Sequence, residues 1–292
     1  MARVLIAGCG YVGTALGQGL AALGHEVFGL RRRPEGLPRG IHAVAADLSE
    51  PSSLEALPGA VELLVYCASA AGFSEQAYRA AYVDGLQNLF DAISRWPEPP
   101  RRILFTSSTA VYGQHAGEWV DEGSSTEPAG FSGRRLLEGE ALLRRGPIPG
   151  IVLRLGGIYG PGRTRLVESV RSGSAVCREG LYTNRIHRDD AAGAIAHLLA
   201  LESPEPVYLG VDHEPAEECA LLRWIAERIG APPPRHEAPD AAATRAGGRP
   251  HGSKRCQSDR LRRSGYRFRH PSYREGYGAL LRELGLLRSE GA

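Results

Sequence analysis

The chain has no uninterrupted apolar run of ~18 residues, so no segment is expected to cross a membrane. An excess of one charge is missing as well: 35 basic and 33 acidic residues leave a formal charge of +2 over 292 residues. That balance gives no electrostatic footprint for nucleic acid or an anionic membrane. Cysteine is sparse and unpatterned: Cys9, Cys67, Cys177, Cys219 and Cys256 are odd in number, widely spaced and without a C-x-x-C. Neither a disulfide framework nor a zinc site is expected, no metal is assigned, and a reducing cytoplasm fits. The start could mimic a signal peptide, with Arg3 followed by apolar and small residues, but Gly8, Gly10, Gly13 and Gly17 break the run. No period of roughly 20 to 50 residues repeats, which argues against a solenoid. What remains is the composition of a soluble globular protein, 42% hydrophobic and 23% charged, with ample length for one large α/β unit or two intimate lobes.

The organising stretch runs from Arg3 to Gly13, where a short apolar run meets Gly8-x-Gly10-x-x-Gly13. In a βαβ unit the first Gly makes the tight turn, the second lets the backbone approach a pyrophosphate, and the third lets helix pack on strand. With 37 glycines in the chain such a pattern arises by chance, but here it follows a strand and opens a helix, Tyr11 to Leu23. Gly8, Cys9, Gly10, Tyr11, Val12 and Gly13 are therefore assigned to a dinucleotide, Cys9 as a small residue under the pyrophosphate rather than a redox thiol. The second strand, Val27 to Leu30, ends in Arg31-Arg32-Arg33, where an acidic residue would select NAD and an Arg accommodates the 2′-phosphate of NADP. Arg31 and Arg32 thus favour NADP over NAD, against the alternative of a solvated basic loop.

A third strand, Ile41 to Ala46, delivers Asp47 and Leu48, and a fourth, Val61 to Cys67, delivers Ala68 and Ser69 to the carboxyl edge of a parallel sheet. That edge lines the ligand crevice, so these four residues are cofactor contacts; for Asp47, helix capping before Pro51 is an equal alternative. A long helix, Glu75 to Arg95, precedes a fifth strand, Arg102 to Ser107, with Thr106, assigned as a further cofactor contact, and Ser108 at its end. Another helix, Ser132 to Arg145, precedes a sixth strand, Ile151 to Leu155. Strands alternating with helices predict a doubly wound parallel sheet of Rossmann type. The division expected is a cofactor domain of 1–155 plus 186–212, interleaved with a smaller substrate lobe of 156–185 plus 213–292. Residues 231–255, rich in Pro, Ala, Gly and Arg, read as a mobile lid or a partly disordered loop.

Gly8-x-Gly10-x-x-Gly13, Thr106-Ser107-Ser108-x-x-Val111-Tyr112-Gly113, Arg154 with Tyr159-Gly160-Pro161-Gly162, and Ile186-His187-x-Asp189-Asp190 come in an order and spacing that resemble the extended short-chain dehydrogenase/reductases of the NAD-dependent epimerase/dehydratase group. The resemblance covers residue 1 to about 212, and Ser132-Gly133-Arg134 looks like a group of bacterial oxidoreductases within it. The family's usual G-x-x-G-x-x-G is shortened here, which places the chain among atypical members. By resemblance, a Ser or Thr after the fifth strand polarises the substrate carbonyl, and Ser108 falls there. A Tyr should carry the proton and a Lys four residues later should assist it, at the start of the next helix. If Arg135 takes the Lys place, Phe131 stands for the Tyr; if Arg134 does, Gly130 stands there.

Phe and Gly carry no titratable group and Arg stays protonated, so the usual proton chemistry lacks its carrier. Arg134 and Arg135 could still hydrogen-bond a ribose or phosphate. Tyr112, Tyr159 and His187 are the substitute proton donors, each with a plainer reading as cleft wall or backbone partner. The expected activity is that of an NADP-preferring oxidoreductase or epimerase/dehydratase-like enzyme on a small polar or nucleotide-linked substrate. The rival is a non-catalytic NADP(H)-binding sensor or scaffold. Resemblance also implies a homodimer through the helices near 75–95 and 132–145.

Overall fold

Val4, Leu5, Ile6 and Ala7 are all fully buried, as are Leu64, Val65 and Tyr66 and the run Ile103 to Phe105. Strands apolar on both faces must be covered on both, which is the condition of a parallel sheet between helical layers. The computed structural model describes residues 1–237, 244–245, 249–250 and 252–288. Its first half comprises β1 (Arg3–Ala7), α1 (Tyr11–Ala22), β2 (Glu26–Arg31), β3 (Ile41–Ala45), β4 (Leu63–Tyr66), α2 (Glu75–Arg79), α3 (Gly85–Ile93), β5 (Arg102–Ser108), β6 (Glu118–Val120), α4 (Phe131–Arg145) and β7 (Gly150–Leu155). The second comprises β8 (Gly157–Tyr159), α5 (Arg165–Arg171), β9 (Val176–Cys177), β10 (Tyr182–Thr183), β11 (Arg185–His187), α6 (Arg188–Ala200), β12 (Val207–Gly210), β13 (Ala216–Glu217), α7 (Glu218–Ile229), β14 (Arg235–His236), α8 (Asp259–Arg263) and α9 (Tyr273–Glu283).

Seven strands form one sheet in the order β12-β7-β5-β4-β1-β2-β3, with β3, β2, β1, β4 and β5 paired in parallel. The chain winds outward from β1 in one direction and from β4 in the other. This is the doubly wound Rossmann order, and the reversal between β1 and β4 is its ligand-binding switch point.

The helix expected over Glu75 to Arg95 is interrupted by a π-helical turn at Ala80–Asp84. The cause is a side chain from another element. The buried Tyr66 hydroxyl donates to the Ala81 carbonyl at 2.6 Å, and a Cβ on Gly85 would lie 2.7 Å from that hydroxyl. A group inserted into the helical ladder forces the extra residue.

The chain divides into two compact units. The first is Met1–Tyr112, Thr126–Arg154 and Ala191–Tyr208; the second is Gly113–Ser125, Leu155–Asp190 and Leu209–Ala292. The second unit is built from short ribbons, β8 beside β11, β9 beside β14, and β10 antiparallel to β13. Its core gathers Tyr159, Val167, Cys177, Leu221, Ile225 and Tyr277. A disulfide joins Cys177 to Cys219 there, correcting the expectation that no cysteines pair. The pair is 42 residues apart and meets only because β9 lies against the start of α7, which spacing along the chain does not reveal. Part of the 231–255 stretch lies outside the described residues. Its ends are held by β14 and by the strand Lys254–Cys256, which pairs in parallel with β6. No helix among the described residues is long and apolar enough to cross a membrane.

The switch point depends on Gly8. Its φ is +89°, and a Cβ there would lie 2.5 Å from the Ala68 backbone. Gly8→Ala should therefore destabilise by about 1–3 kcal/mol or more, through strain and displacement of β4. Gly19→Ala in α1, where an added Cβ meets nothing within 4 Å, should be neutral or stabilise by roughly 0.5–1 kcal/mol. Urea titration of both variants checks the contrast; equal midpoints would remove the constraint.

Candidate active site

The first unit holds the cradle. Gly8 N and Cys9 N both donate to Leu30 O, at 3.0 and 2.8 Å, which pins the loop to the end of β2. Gly13 allows α1 onto β1, since its Cβ would lie 3.0 Å from Ile6 Cγ2. Gly10 differs: a Cβ there meets only Gly8 O at 3.9 Å, so its missing side chain opens space rather than relieving a protein contact. Gly10 also starts α1 with no side-chain cap and no acid in the first turn. A helix N-terminus left in this state suits an anion, and the three glycines fit a pyrophosphate. Cys9 is fully buried and burial pushes its thiol up, so it is no poised thiolate.

At the end of β2, Arg31 donates to the Glu35 carbonyl through Nη2, and its buried Nε has no partner among the described residues. Arg32 is exposed. Asp47 Oδ1 accepts from Ser49 N at 3.0 Å and Ser49 Oγ at 2.7 Å. These bonds, with Arg32 nearby, hold its carboxyl below the usual value. The turn it closes precedes the 3-10 segment Pro51–Leu54, whose cap position is Glu50. Leu48 O accepts from Asn88 Nδ2 at 2.9 Å. Ala68 is half-buried against Gly8, and Ser69 is exposed just beyond it. Thr106 fastens the sheet instead, its Oγ1 donating to Tyr66 O at 3.1 Å. Ser108 Oγ accepts from Ala110 N at 3.2 Å, and that same turn packs its Ala110 carbonyl against Gly133 at the start of α4.

At the start of α4, where the resemblance leads one to expect a tyrosine, stand Gly130 and Phe131. Gly130 is its cap, and Phe131 packs at 4.9 Å on Phe73 and 5.5 Å on Tyr78. Arg134 donates to Ala129 O at 2.6 Å. Arg135 is committed to Glu138 and to Glu75, both at 2.7 Å, tying α4 to α2.

Behind Ser108 lies a network that the sequence pattern did not single out. Glu140, fully buried, accepts from Ser107 Oγ at 2.7 Å and from Arg154 Nε and Nη2 at 3.0 and 2.7 Å. Arg154 Nη1 donates to the Tyr112 hydroxyl at 2.8 Å, and its guanidinium carbon sits 5.1 Å from the Tyr112 ring centre. Tyr112 is thus a buried partner of a charged pair, on the segment that carries Ser108. An acidic residue in the middle of an amphipathic helix gives no local sign of burial, so Glu140 was the member of the network that the sequence concealed.

Tyr159 and His187 belong to the second unit. Tyr159 stacks on Tyr277 at 4.4 Å and meets His187 edge-on at 5.4 Å. Its buried hydroxyl has no protein partner, and burial pushes its pKa up, so it holds its proton through neutral pH. His187 is 3% exposed. Burial, reinforced by His270 stacked at 3.9 Å, pushes it down to about 4, leaving a neutral imidazole at pH 7. Asp190 beside it accepts from Tyr266 Oη, Arg269 N, His270 N and His270 Nδ1 within 2.7–3.1 Å, clamping the tail onto α6. Asp212, also missed by sequence reading, is buried with one oxygen unpartnered, and burial lifts its carboxyl well above the ordinary value. In this unit Tyr159, Arg163, Arg165, Ser169 and Tyr277 line a cavity of about 790 Å³.

His187 supplies a pH signature. The unfolded imidazole takes a proton near pH 6.5 and the folded one only near 4, so unfolding binds a proton between those values and stability falls as pH falls. His187→Gln should remove that component, on the order of 3 kcal/mol across pH 6.5 to 4. Urea unfolding of both proteins over that range checks it; parallel curves would count against the buried neutral ring.

Residues 4–206 match the model of the NAD dependent epimerase/dehydratase family. A Streptomyces 3-diazoavenalumate denitrifying reductase is 31% identical over 304 aligned residues, covering 94% of this chain and 99% of that protein. Protein YeeZ of Escherichia coli K12 is 30% identical, covering 80% of this chain and 86% of YeeZ. A Methylobacillus flagellatus structure, named provisionally as an NAD-dependent epimerase/dehydratase, is 38% identical with a TM-score of 0.81, covering 97% of this chain and 99% of that one. The human epimerase family protein SDR39U1, solved with NADPH, has the same fold at a TM-score of 0.79 and 23% identity, covering 96% and 99%. With the switch-point cradle, the doubly wound sheet and a family match over most of its length, the chain belongs to the NAD-dependent epimerase/dehydratase family.

Proposed function

We propose that the protein is an NADP-preferring oxidoreductase or epimerase/dehydratase-like enzyme that works without the Tyr-Lys pair, on a small polar or nucleotide-linked substrate. The observation that carries this reading is the cradle Gly8 to Gly13, with Arg31 and Arg32 at the end of β2 and no acidic residue in their place. The buried, unpartnered Nε of Arg31 and the exposed head of Arg32 suit a 2′-phosphate, which rewards forked cationic donors. The α1 N-terminus takes the pyrophosphate. Support also comes from relatives named as a reductase and as solved with NADPH.

When bound, the nicotinamide supplies or accepts hydride at a substrate carbon. Ser108, half-buried with its Oγ accepting from Ala110 N, directs its own O–H at the substrate oxygen and polarises it. Tyr112 moves the proton, its oxygen fixed by Arg154. Tyr159 keeps its proton too firmly to serve as base, and His187, neutral at pH 7, lacks the imidazolium proton that a general acid would give. Arg163 and Arg165 on the cavity of the second unit suit an anionic or phosphorylated substrate.

A second reading, a non-catalytic NADP(H)-binding sensor, is favoured by Phe131 in its aromatic cluster at the place of the family's proton carrier. One experiment separates the two. Purified protein is incubated with NADPH and a panel of carbonyl and nucleotide-sugar substrates, and absorbance follows the cofactor. The enzyme reading expects turnover that Ser108→Ala and Tyr112→Phe each reduce by ~10²–10⁴. Tight NADPH binding with no turnover across the panel establishes the sensor instead.

A further inference from the structure

Cys177 and Cys219 are joined in the core of the second unit, with Cα atoms 5.0 Å apart and both side chains fully buried. A purely structural disulfide needs no other partner, yet an imidazole stands beside this one. His236 Nδ1 lies 3.9 Å from Cys177 Sγ, and the two Sγ atoms and a His236 nitrogen all fall within 4.8 Å of one another. The placement of His236 is fixed by the backbone. β14 pairs in parallel with β9 so that His236 stands opposite Cys177, and Arg235 N and Glu237 N donate to Ala175 O and Cys177 O, both at 3.0 Å. Arg178 Nη2 ties down Glu237 at 2.8 Å. The histidine side chain is 49% exposed, and Glu179 Oε1 reaches to 3.6 Å from its Nδ1. The sulfurs are therefore enclosed while one side of the cluster opens to solvent through an imidazole and a carboxylate.

We propose that Cys177, Cys219 and His236 form a redox-gated site for a thiophilic divalent cation of the zinc class, closed in the disulfide state and open in the dithiol state. Two thiolates, one imidazole and one exchangeable oxygen ligand, from Glu179 or water, make the four-coordinate set that Zn²⁺ prefers. The chemistry balances with a low-molecular-weight thiol as reductant: two of its molecules give two electrons and two protons to the disulfide, forming two cysteine thiols and one external disulfide. Zn²⁺ then displaces the two thiol protons and coordinates both sulfurs and the imidazole. The external disulfide of the same low-molecular-weight thiol reverses this: it takes two electrons from the thiolates and two protons from solvent, leaves as two thiols, and the Cys177–Cys219 bond re-forms with release of the ion. Spacing in the sequence conceals the site, since the ligands come from β9, α7 and β14. The other cluster of metal-ligand type among the described residues, His187, Asp190 and His270, carries no such proposal, because Asp190 already accepts four protein donors.

The test uses the full chain and Co²⁺ as an optical stand-in for Zn²⁺. Protein reduced with a phosphine and then freed of it should bind one equivalent of Co²⁺, with an intense near-ultraviolet thiolate-to-cobalt band and the visible bands of a tetrahedral centre. One equivalent of Zn²⁺ should bleach both. Oxidised protein should show neither. Cys177→Ser and Cys219→Ser should each lose the thiolate band, and His236→Gln should lose the tetrahedral visible bands. Because a serine variant could fail by misfolding, alkylation followed by mass spectrometry is run on the reduced wild type: Zn²⁺ should protect both Cys177 and Cys219 and leave the labelling of Cys9, Cys67 and Cys256 unchanged. The proposal is overturned if reduced wild type gives no thiolate band, if oxidised protein gives the same spectrum, or if Zn²⁺ protects neither cysteine.

Discussion

The approach of Gly8 to Ala68 is the contact on which the rest of the first unit depends. Only a residue without a side chain can hold a φ of +89° there, because a Cβ would lie 2.5 Å from the Ala68 backbone just beyond β4. That approach brings the ends of β1 and β4 together at the point where the sheet reverses direction. It aims the first turn of α1 along the crevice and leaves the outer face of Gly10 open. Donor groups of a helix N-terminus then gather where the fold has its natural ligand crevice, before any side chain contributes. The chemistry of the cradle is in this sense a property of backbone and packing.

A second constraint sits behind Ser108. Glu140 and Arg154 are a buried ion pair with almost all of their hydrogen-bonding atoms engaged, and such a pair costs about as much in desolvation as it returns in attraction. Its stronger effect is on geometry. Ser107, Tyr112, α4 and β7 meet on two side chains that cannot leave without exposing an uncompensated charge. The segment from Ser107 to Tyr112 is accordingly held at both ends. At the start of α4, where resemblance leads one to expect a tyrosine, Phe131 packs among the rings of Phe73 and Tyr78.

Much of this was legible in the sequence because it follows from local rules. Glycine spacing announced the turn at Gly8, and two-sided apolar runs announced β1, β4 and β5. What escaped depends on partners distant in sequence. The π-turn of Ala80–Asp84 is imposed by Tyr66, and a helical pattern carries no trace of it. Glu140 reads as one more acid on a polar helix until Arg154 arrives from β7. Asp47, assigned to the cofactor with helix capping as its equal, closes a turn onto Ser49. Cys177 and Cys219 look unrelated until β9 meets α7. Asp212 offered no motif at all, and only its burial sets it apart.

The central claim is that the cradle and the two arginines select a 2′-phosphorylated dinucleotide. Isothermal titration of the wild-type chain with NADPH and with NADH, repeated on the Arg31→Ala/Arg32→Ala protein, tests it most directly. NADPH should bind at least about tenfold more tightly than NADH, with that preference lost in the double variant because two charge-assisted contacts of ~1.5–3 kcal/mol each are gone. Equal affinities in the wild type, or a preference that survives removal of both arginines, would contradict it.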